Sequence, residues 1–231
     1  MPAEYRAIKL PLPLRLGSVN CYLLKTGDGG YVLIDTGCSN GRRQIDGVLQ
    51  DEGCRPGNLR LIVITHGDFD HAGNAAYLRG RYGAGIAMHW QDAVMVERGD
   101  MFLNRTTGNA LTRKLIGVVA PVIFGFGKAE RFMPDVYLDD GCELAGYGLD
   151  ARVVHTPGHS RGSISVLTGS GGLFCGDLLV NADRTDKPGL NSIVDDKMAM
   201  EESVARLKTM GVNTVHPGHG RPFAWTRFMP I

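Results

Sequence analysis

Four side chains able to bind a metal ion fall within six residues of this sequence: His66, Asp68, Asp70 and His71, in the run Thr65-His66-Gly67-Asp68-Phe69-Asp70-His71. The run follows directly on an apolar stretch. His66 and Asp68 stand two apart, so on an extended chain they project to the same side. Asp70 and His71 are adjacent and join them only where the chain turns into a helix. A polar helix start capped by Asp68 or Asp70 is the plainer reading, but two histidines beside two aspartates exceed what a cap requires. Three further turns carry the same residue types: His155-Thr156-Pro157-Gly158-His159-Ser160, Gly176-Asp177, and His216-Pro217-Gly218-His219-Gly220. Singly, a histidine at a turn is an ordinary surface residue, and an aspartate after a strand ordinarily caps a loop. Together they are not ordinary. Of 7 histidines, six lie in three short turns, each at the C-terminal end of an apolar run. Imidazole and carboxylate without a thiolate suit zinc, iron or manganese.

Strand ends along one rim of a sheet are where such sites are built, and the surrounding sequence supplies the strands. Tyr5–Leu16 and Val19–Leu24 read as strands, and Gly27-Asp28-Gly29-Gly30 turns a hairpin between Cys21–Lys25 and Tyr31–Asp35. A helix is expected over Ser39–Leu49, a buried β-branched strand over Leu59–Thr65, a helix over Gly73–Tyr82 and a strand over Gly85–His89. Trp90–Lys128 is the least regular part, with helices expected at Asp92–Glu97 and Ala110–Val119. Short strands return at Val136–Leu138, Cys142–Leu144, Ala151–His155, Ser163–Leu167 and Gly172–Cys175. An amphipathic helix over Met198–Met210 and a strand over Val212–Val215 follow. The order reads as two similar α/β halves.

Composition narrows the function. The 231 residues suit one domain. With 25 Lys+Arg against 24 Asp+Glu, the net charge of +1 lacks the footprint of a nucleic-acid binder. The longest mostly apolar stretch, Leu115 to Gly127, falls short of the about 20 residues a bilayer span needs. Five scattered cysteines without a CxxC, and an N-terminus with no basic start before an apolar core, lead us to expect a cytoplasmic protein without disulfides.

In this order the motifs resemble the metallo-β-lactamase superfamily. Its HxHxDH motif falls on His66, Asp68, Asp70 and His71, its later histidine on His159, its bridging aspartate on Asp177 and its last histidine on His219. Leu33-Ile34-Asp35-Thr36-Gly37 matches the early motif whose aspartate, here Asp35, supports the site from behind. The resemblance implies an α/β fold, a four-layer αβ/βα sandwich spanning 1–231 as a single domain with a helical insertion at about 90–128. It implies two divalent metal ions, zinc foremost with iron or manganese as alternatives. Site one would comprise His66, Asp68 and His159, site two Asp70, His71 and His219, with Asp177 between them. A metal-bound hydroxide would attack an ester, lactone, thioester or amide of a small molecule, with Asp70 passing a proton to the leaving group. His155 and His216 would be packing or supporting residues. No nucleic acid or membrane is expected as a partner, and a homodimer is left open.

One position departs from the pattern. The second histidine of the motif is Asp68, and a carboxylate there resembles the flavodiiron proteins, which makes an iron-dependent oxidoreductase the alternative. A third carboxylate among the ligands would weaken the metals as Lewis acids and shift preference from zinc toward iron or manganese. On that ground Asp68→His should tighten site one and favour zinc.

Overall fold

The computed structural model describes residues 4–103, 105, 130–182 and 186–228. Leu59–Val63 is buried everywhere except Arg60, and Ile164–Thr168 is buried throughout. Strands apolar on both faces must be covered on both, and here a second sheet covers one face and helices the other. The first sheet runs β1 (Tyr5–Pro11), β2 (Ser18–Lys25), β3 (Tyr31–Ile34), β4 (Leu59–Val63), β5 (Gly85–Met88) and β6 (Val136–Tyr137), in spatial order. β1, β2 and β3 pair antiparallel, and β3 through β6 pair parallel. Its outer face packs on α1 (Arg42–Asp51), α3 (Ala75–Tyr82) and α4 (Trp90–Arg98) through Ile45, Leu49, Leu78, Tyr82, Ala93 and Val96; the short α2 (Phe69–Ala72) precedes α3.

The second sheet contains β7 (Ala151–His155), β8 (Ile164–Thr168), β9 (Gly172–Phe174), β12 (Thr214–His216) and β13 (Phe223–Ala224), in the order β13-β12-β9-β8-β7. Its outer face packs on α5 (Lys197–Leu207) through Met200, Val204 and Leu207. In the sequence between β9 and α5, β10 (Leu179–Asn181) and β11 (Pro188–Leu190) form a separate two-stranded ribbon. Tyr22, Ile34 and Val63 of the first sheet meet Val153, Val166 and Phe174 of the second in the central core. This is the αβ/βα sandwich expected from the motifs.

Several elements differ in extent from the sequence reading. The first strand stops at Pro11, because Pro13–Arg15 forms a 3-10 turn in which Leu14 takes φ +56°. The helix expected over Gly73–Tyr82 is α3, which starts later, at Ala75, and is separated by Gly73 and Asn74 from the short α2 before it. At the break the Asn74 amide donates to the carbonyls of Thr36 (2.8 Å) and Cys38 (2.8 Å), tying the helix start to the end of β3. Cys142–Leu144 is not a strand: Glu143 makes an isolated bridge to Arg152, and the 3-10 turn Ala145–Tyr147 follows at once. The helix expected at Asp92–Glu97 is α4. The one at Ala110–Val119, and most of the expected insertion, lie outside the described residues. Among those residues no helix is long and apolar enough to cross a membrane.

His216 sits in the central core, stacked on Phe174 at 4.4 Å and edge-on to Tyr5 and Tyr22, with Nδ1 buried and unpartnered. Burial pushes its pKa down to about 4, whereas an unfolded imidazole titrates near about 6.5. The unfolded chain therefore binds more protons between these values, and stability falls as pH drops through that window. His216→Phe is expected to remove about 2–3 kcal/mol of this acid sensitivity. Thermal melts of both proteins from pH 7 to pH 4 check it: parallel curves would refute the assignment.

Candidate metal centre

The rim at the C-terminal ends of β3, β4, β7, β9 and β12 gathers the residues singled out above. Asp35 directly follows β3, His66 follows β4 after two residues, and Asp68 precedes α2. His159 lies in the turn after β7, Asp177 in the turn after β9 and His219 in the turn after β12. His66, His159 and Asp177 bring three ligand atoms within 4.8 Å of one another, and so do Asp70, His71 and His219. These two groups are called site one and site two below. They adjoin, since the His66 and His71 rings lie 4.1 Å apart. Asp177 faces both: its Oδ1 is 3.3 Å from His71 Nε2 and 3.4 Å from His219 Nε2, and its Oδ2 is 3.9 Å from His159 Nε2.

All four imidazoles are oriented alike. Nδ1 of His66 meets the Thr65 hydroxyl (3.0 Å), Nδ1 of His71 meets Asp35 Oδ2 (2.8 Å), Nδ1 of His159 donates to the Ile193 carbonyl (2.7 Å) and Nδ1 of His219 donates to the Ser18 carbonyl (2.8 Å). A ring that donates from Nδ1 carries its lone pair on Nε2, and the Nε2 atoms are the ones turned toward the two groups. His66 Nε2, His71 Nε2 and Asp177 Oδ1 are buried without a hydrogen-bond partner. Buried polar atoms are nearly always satisfied, so orphaned donor atoms of this chemistry facing one another fit a cation.

Electrostatics agree. Burial lowers the pKa of His71, but Asp35, Asp177 and Asp70 outweigh it and hold it well above the usual histidine value. Asp177 and Asp70 do the same for His219. In turn, His219 and His71 overcome the burial of Asp177 and keep it well below the usual carboxylate range. His66 goes the other way: burial and then His71 draw its pKa down. The carboxylates therefore hold positive charge inside this rim, and metal ions must compete with protons for it.

Backbone geometry explains why glycines border the site. Gly176 takes φ +48°, and a Cβ there would meet the Thr65 side chain; a Cβ on Gly218 would come within 2.6 Å of both Asp177 Oδ1 and His71 Cε1. The 217–220 turn is held from the opposite sheet. Asn20 donates from its amide to the Pro217 and Gly220 carbonyls, and the Tyr22 hydroxyl donates to Pro217 (2.8 Å). Asp35, at φ +59°, accepts from the Thr65 N–H (2.9 Å) and hydroxyl (2.9 Å) and faces His71 Nδ1 (2.8 Å).

Asp68 occupies the N-cap position of α2 but makes no cap bond. Its Oδ2 is 3.2 Å from His159 Nε2 and 3.6 Å from His66 Nε2, on the side of site one, and its Oδ1 accepts from Arg105 Nη2 at 2.5 Å. Asp68 thus lies against site one while its other oxygen is engaged elsewhere. His155 and His216 stay out of both groups: His155 stacks flat on His89 at 4.2 Å. None of the grouped residues is a cysteine, and burial pushes the Cys175 thiol up to about 12.

Two residues of consequence escaped the sequence reading. Arg105, whose guanidinium donates to Asp68 Oδ1, is one. Asp92, on α4, is the other: buried, it accepts from the Gly67 N–H (3.1 Å), the Ser160 hydroxyl (2.6 Å) and the Gly162 N–H (2.8 Å). It ties the His66 turn to the His159 turn, yet in sequence it was only the first acid of a helix. Asp92→Ala strands two buried N–H donors and is expected to cost about 2–4 kcal/mol. Urea denaturation checks this; a loss below about 0.5 kcal/mol would show the turns hold without it.

A two-sheet sandwich with four inward imidazoles and interleaved carboxylates on one rim defines a metallo-hydrolase class of protein. The sequence agrees: residues 14–219 match the model of the metallo-beta-lactamase superfamily, and the chain belongs to that family. It is 30% identical over 227 residues to human Acyl-coenzyme A thioesterase MBLAC2, covering 92% of this chain and 76% of that protein. It is 26% identical over 181 residues to Hydroxyacylglutathione hydrolase GloC of Haemophilus influenzae, covering 77% and 75%. Against the Beta-lactamase-like protein 2 homolog of Caenorhabditis elegans it is 26% identical over 91% of its own length, but spans 58% of that longer protein. Among solved structures, TTHA1623 in a di-iron-bound form superposes with a TM-score of 0.67 at 26% identity, covering 93% of this chain and 94% of that one.

Proposed function

We propose that this protein is a dinuclear metal-dependent hydrolase of small acyl compounds, with thioesters its foremost substrate class. The observation that carries the reading is the common orientation of four imidazoles around Asp177, with three buried donor atoms left unpartnered. Two relatives named for acting on thioesters, an acyl-coenzyme A and a hydroxyacylglutathione, support the substrate class among the ester, lactone, thioester and amide options. His66, His159 and Asp177 would hold one ion, Asp70, His71 and His219 the other, with Asp177 shared and Asp68 adjoining the first. When bound, the ions supply Lewis acidity toward a carbonyl and lower the pKa of water toward about 7.

The chain's own residues do the rest. Site one is buried, whereas the His219 and Asp70 side chains are 25% and 23% exposed, so water and substrate reach the rim from site two. Asp70, its pKa lowered by His71 and His219 against the effect of burial, is ionised. At that solvent-facing edge it accepts the proton of the attacking water and returns it to the leaving thiol or alcohol. Asp35 and the carbonyls of Ile193 and Ser18 keep the rings from turning.

Metal analysis with an activity screen across thioesters, lactones, esters, β-lactams and phosphodiesters tests this. Expected are two ions per chain, preferential thioester cleavage, loss of activity with a chelator and recovery on adding zinc. Chelator-resistant cleavage would refute metal dependence. A ferrous or ferric pair with redox turnover and no hydrolysis would favour the iron-dependent oxidoreductase instead.

A further inference from the structure

Arg105 is 37 residues from Asp68 in sequence, yet the residue is 7% exposed and its guanidinium reaches site one. Nη2 donates to Asp68 Oδ1 (2.5 Å) and approaches His159 Nε2 (3.4 Å); Nη1 donates to the His159 carbonyl (2.9 Å); Nε donates to the Met101 carbonyl (3.1 Å). Asp68 is the one carboxylate standing where the family motif has a neutral histidine. Its Oδ2 is turned toward His159 and His66, while its Oδ1 is turned toward the arginine. A buried carboxylate is tolerated when it is paired and hydrogen-bonded, and this one is paired with a permanent cation.

We propose that Asp68 and Arg105 act as one charge-neutral unit at site one, which makes Arg105 a positioning residue that sets how tightly, and with which ion, the site is filled. The third carboxylate then adds no net negative charge, because the guanidinium cancels it. The chain reaches the charge balance of a histidine at position 68 by a salt bridge, and the ground for an iron preference disappears. The expected effect of Asp68→His also reverses. With Arg105 still buried beside it, the histidine leaves a net positive charge against the metal ions and weakens site one instead of tightening it. This inference rests on the metal reading above but not on the identity of the substrate.

The test loads wild type, Asp68→His, Arg105→Met, Arg105→Lys and the double variant Asp68→His/Arg105→Met with zinc and with ferrous iron. Competition with a chromogenic chelator gives metal count and affinity, and thermal melts of the metal-free forms report the fold. Asp68→His is expected to hold one of its two ions roughly tenfold or more less tightly. Arg105→Met should raise the iron share at that site, Arg105→Lys should stay near wild type, and the double variant should return to within about threefold of it. Should Asp68→His alone fail to fold, recovery of the fold in the double variant carries the same conclusion, since the unpaired cation is then the fault. Asp68→His binding both ions as tightly as wild type overturns the proposal, as does a double variant no better than Asp68→His. Wild type that takes up neither metal overturns the metal reading, and this proposal with it.

Discussion

Asp177→Ala is expected to abolish double occupancy and to lower kcat/KM for the preferred acyl substrate by about 10³-fold or more, the equivalent of several kcal/mol of lost metal-centred stabilisation. The size follows from its placement. Asp177 is the carboxylate that faces both ligand groups, within 3.3 Å and 3.4 Å of His71 and His219 on one oxygen and 3.9 Å of His159 on the other. Asn191 donates to the second oxygen at 3.0 Å and holds the carboxylate plane. Without it, four imidazoles crowd one space with less negative charge among them, and two dications repel without a shared anion. Elemental analysis of the purified variant, with steady-state kinetics, checks the expectation. Retention of two ions per chain would show that Asp177 is not shared between them.

Asp35→Asn is expected to weaken metal binding by about 10–100-fold, as loss of a partner behind a ligating histidine does, while preserving the fold. The side chain is buried and its two oxygens serve three donors: the Thr65 N–H, the Thr65 hydroxyl and His71 Nδ1. An amide has one oxygen. If that oxygen keeps the Thr65 N–H, the amide NH2 faces His71 and drives the ring proton to Nε2, where the lone pair is needed. One buried donor left short costs about 1–3 kcal/mol, so the melting temperature should fall modestly while chelator competition shows the larger change. An unchanged metal affinity beside a lowered melting temperature would mean that Asp35 supports only the Thr65 backbone.

The site was largely legible in the sequence because its chemistry is local to short turns. His66 through His71, His159, Asp177 and His219 each follow an apolar run, and no cysteine stands among them. Those runs became strands for the reason the sequence suggested: Leu59–Val63 and Ile164–Thr168 bury both faces. Extents were less legible where a distant group intervenes. The helix expected from Gly73 starts at Ala75, with the Asn74 side chain reaching back to Thr36 and Cys38, and nothing within Gly73–Tyr82 signals that.

By itself the sequence determined which donor atoms exist, that they cluster at strand ends, and the family and sandwich that such an order of turns implies. Residue type and spacing along the backbone suffice for these, since each turn presents its own side chains whatever surrounds it. Only the tertiary structure decided which atom each residue shows. The two stacked sheets bring the Ser18 and Ile193 carbonyls and Asp35 behind His219, His159 and His71, and so choose Nε2 in all three. They place Asp92 between the 67 and 160–162 turns, and they bring Arg105 to Asp68. The charge at site one is therefore a property of a pair 37 residues apart. A long-range ion pair in an irregular stretch has no periodicity or motif to announce it, because its energy comes from shared burial and not from spacing along the chain.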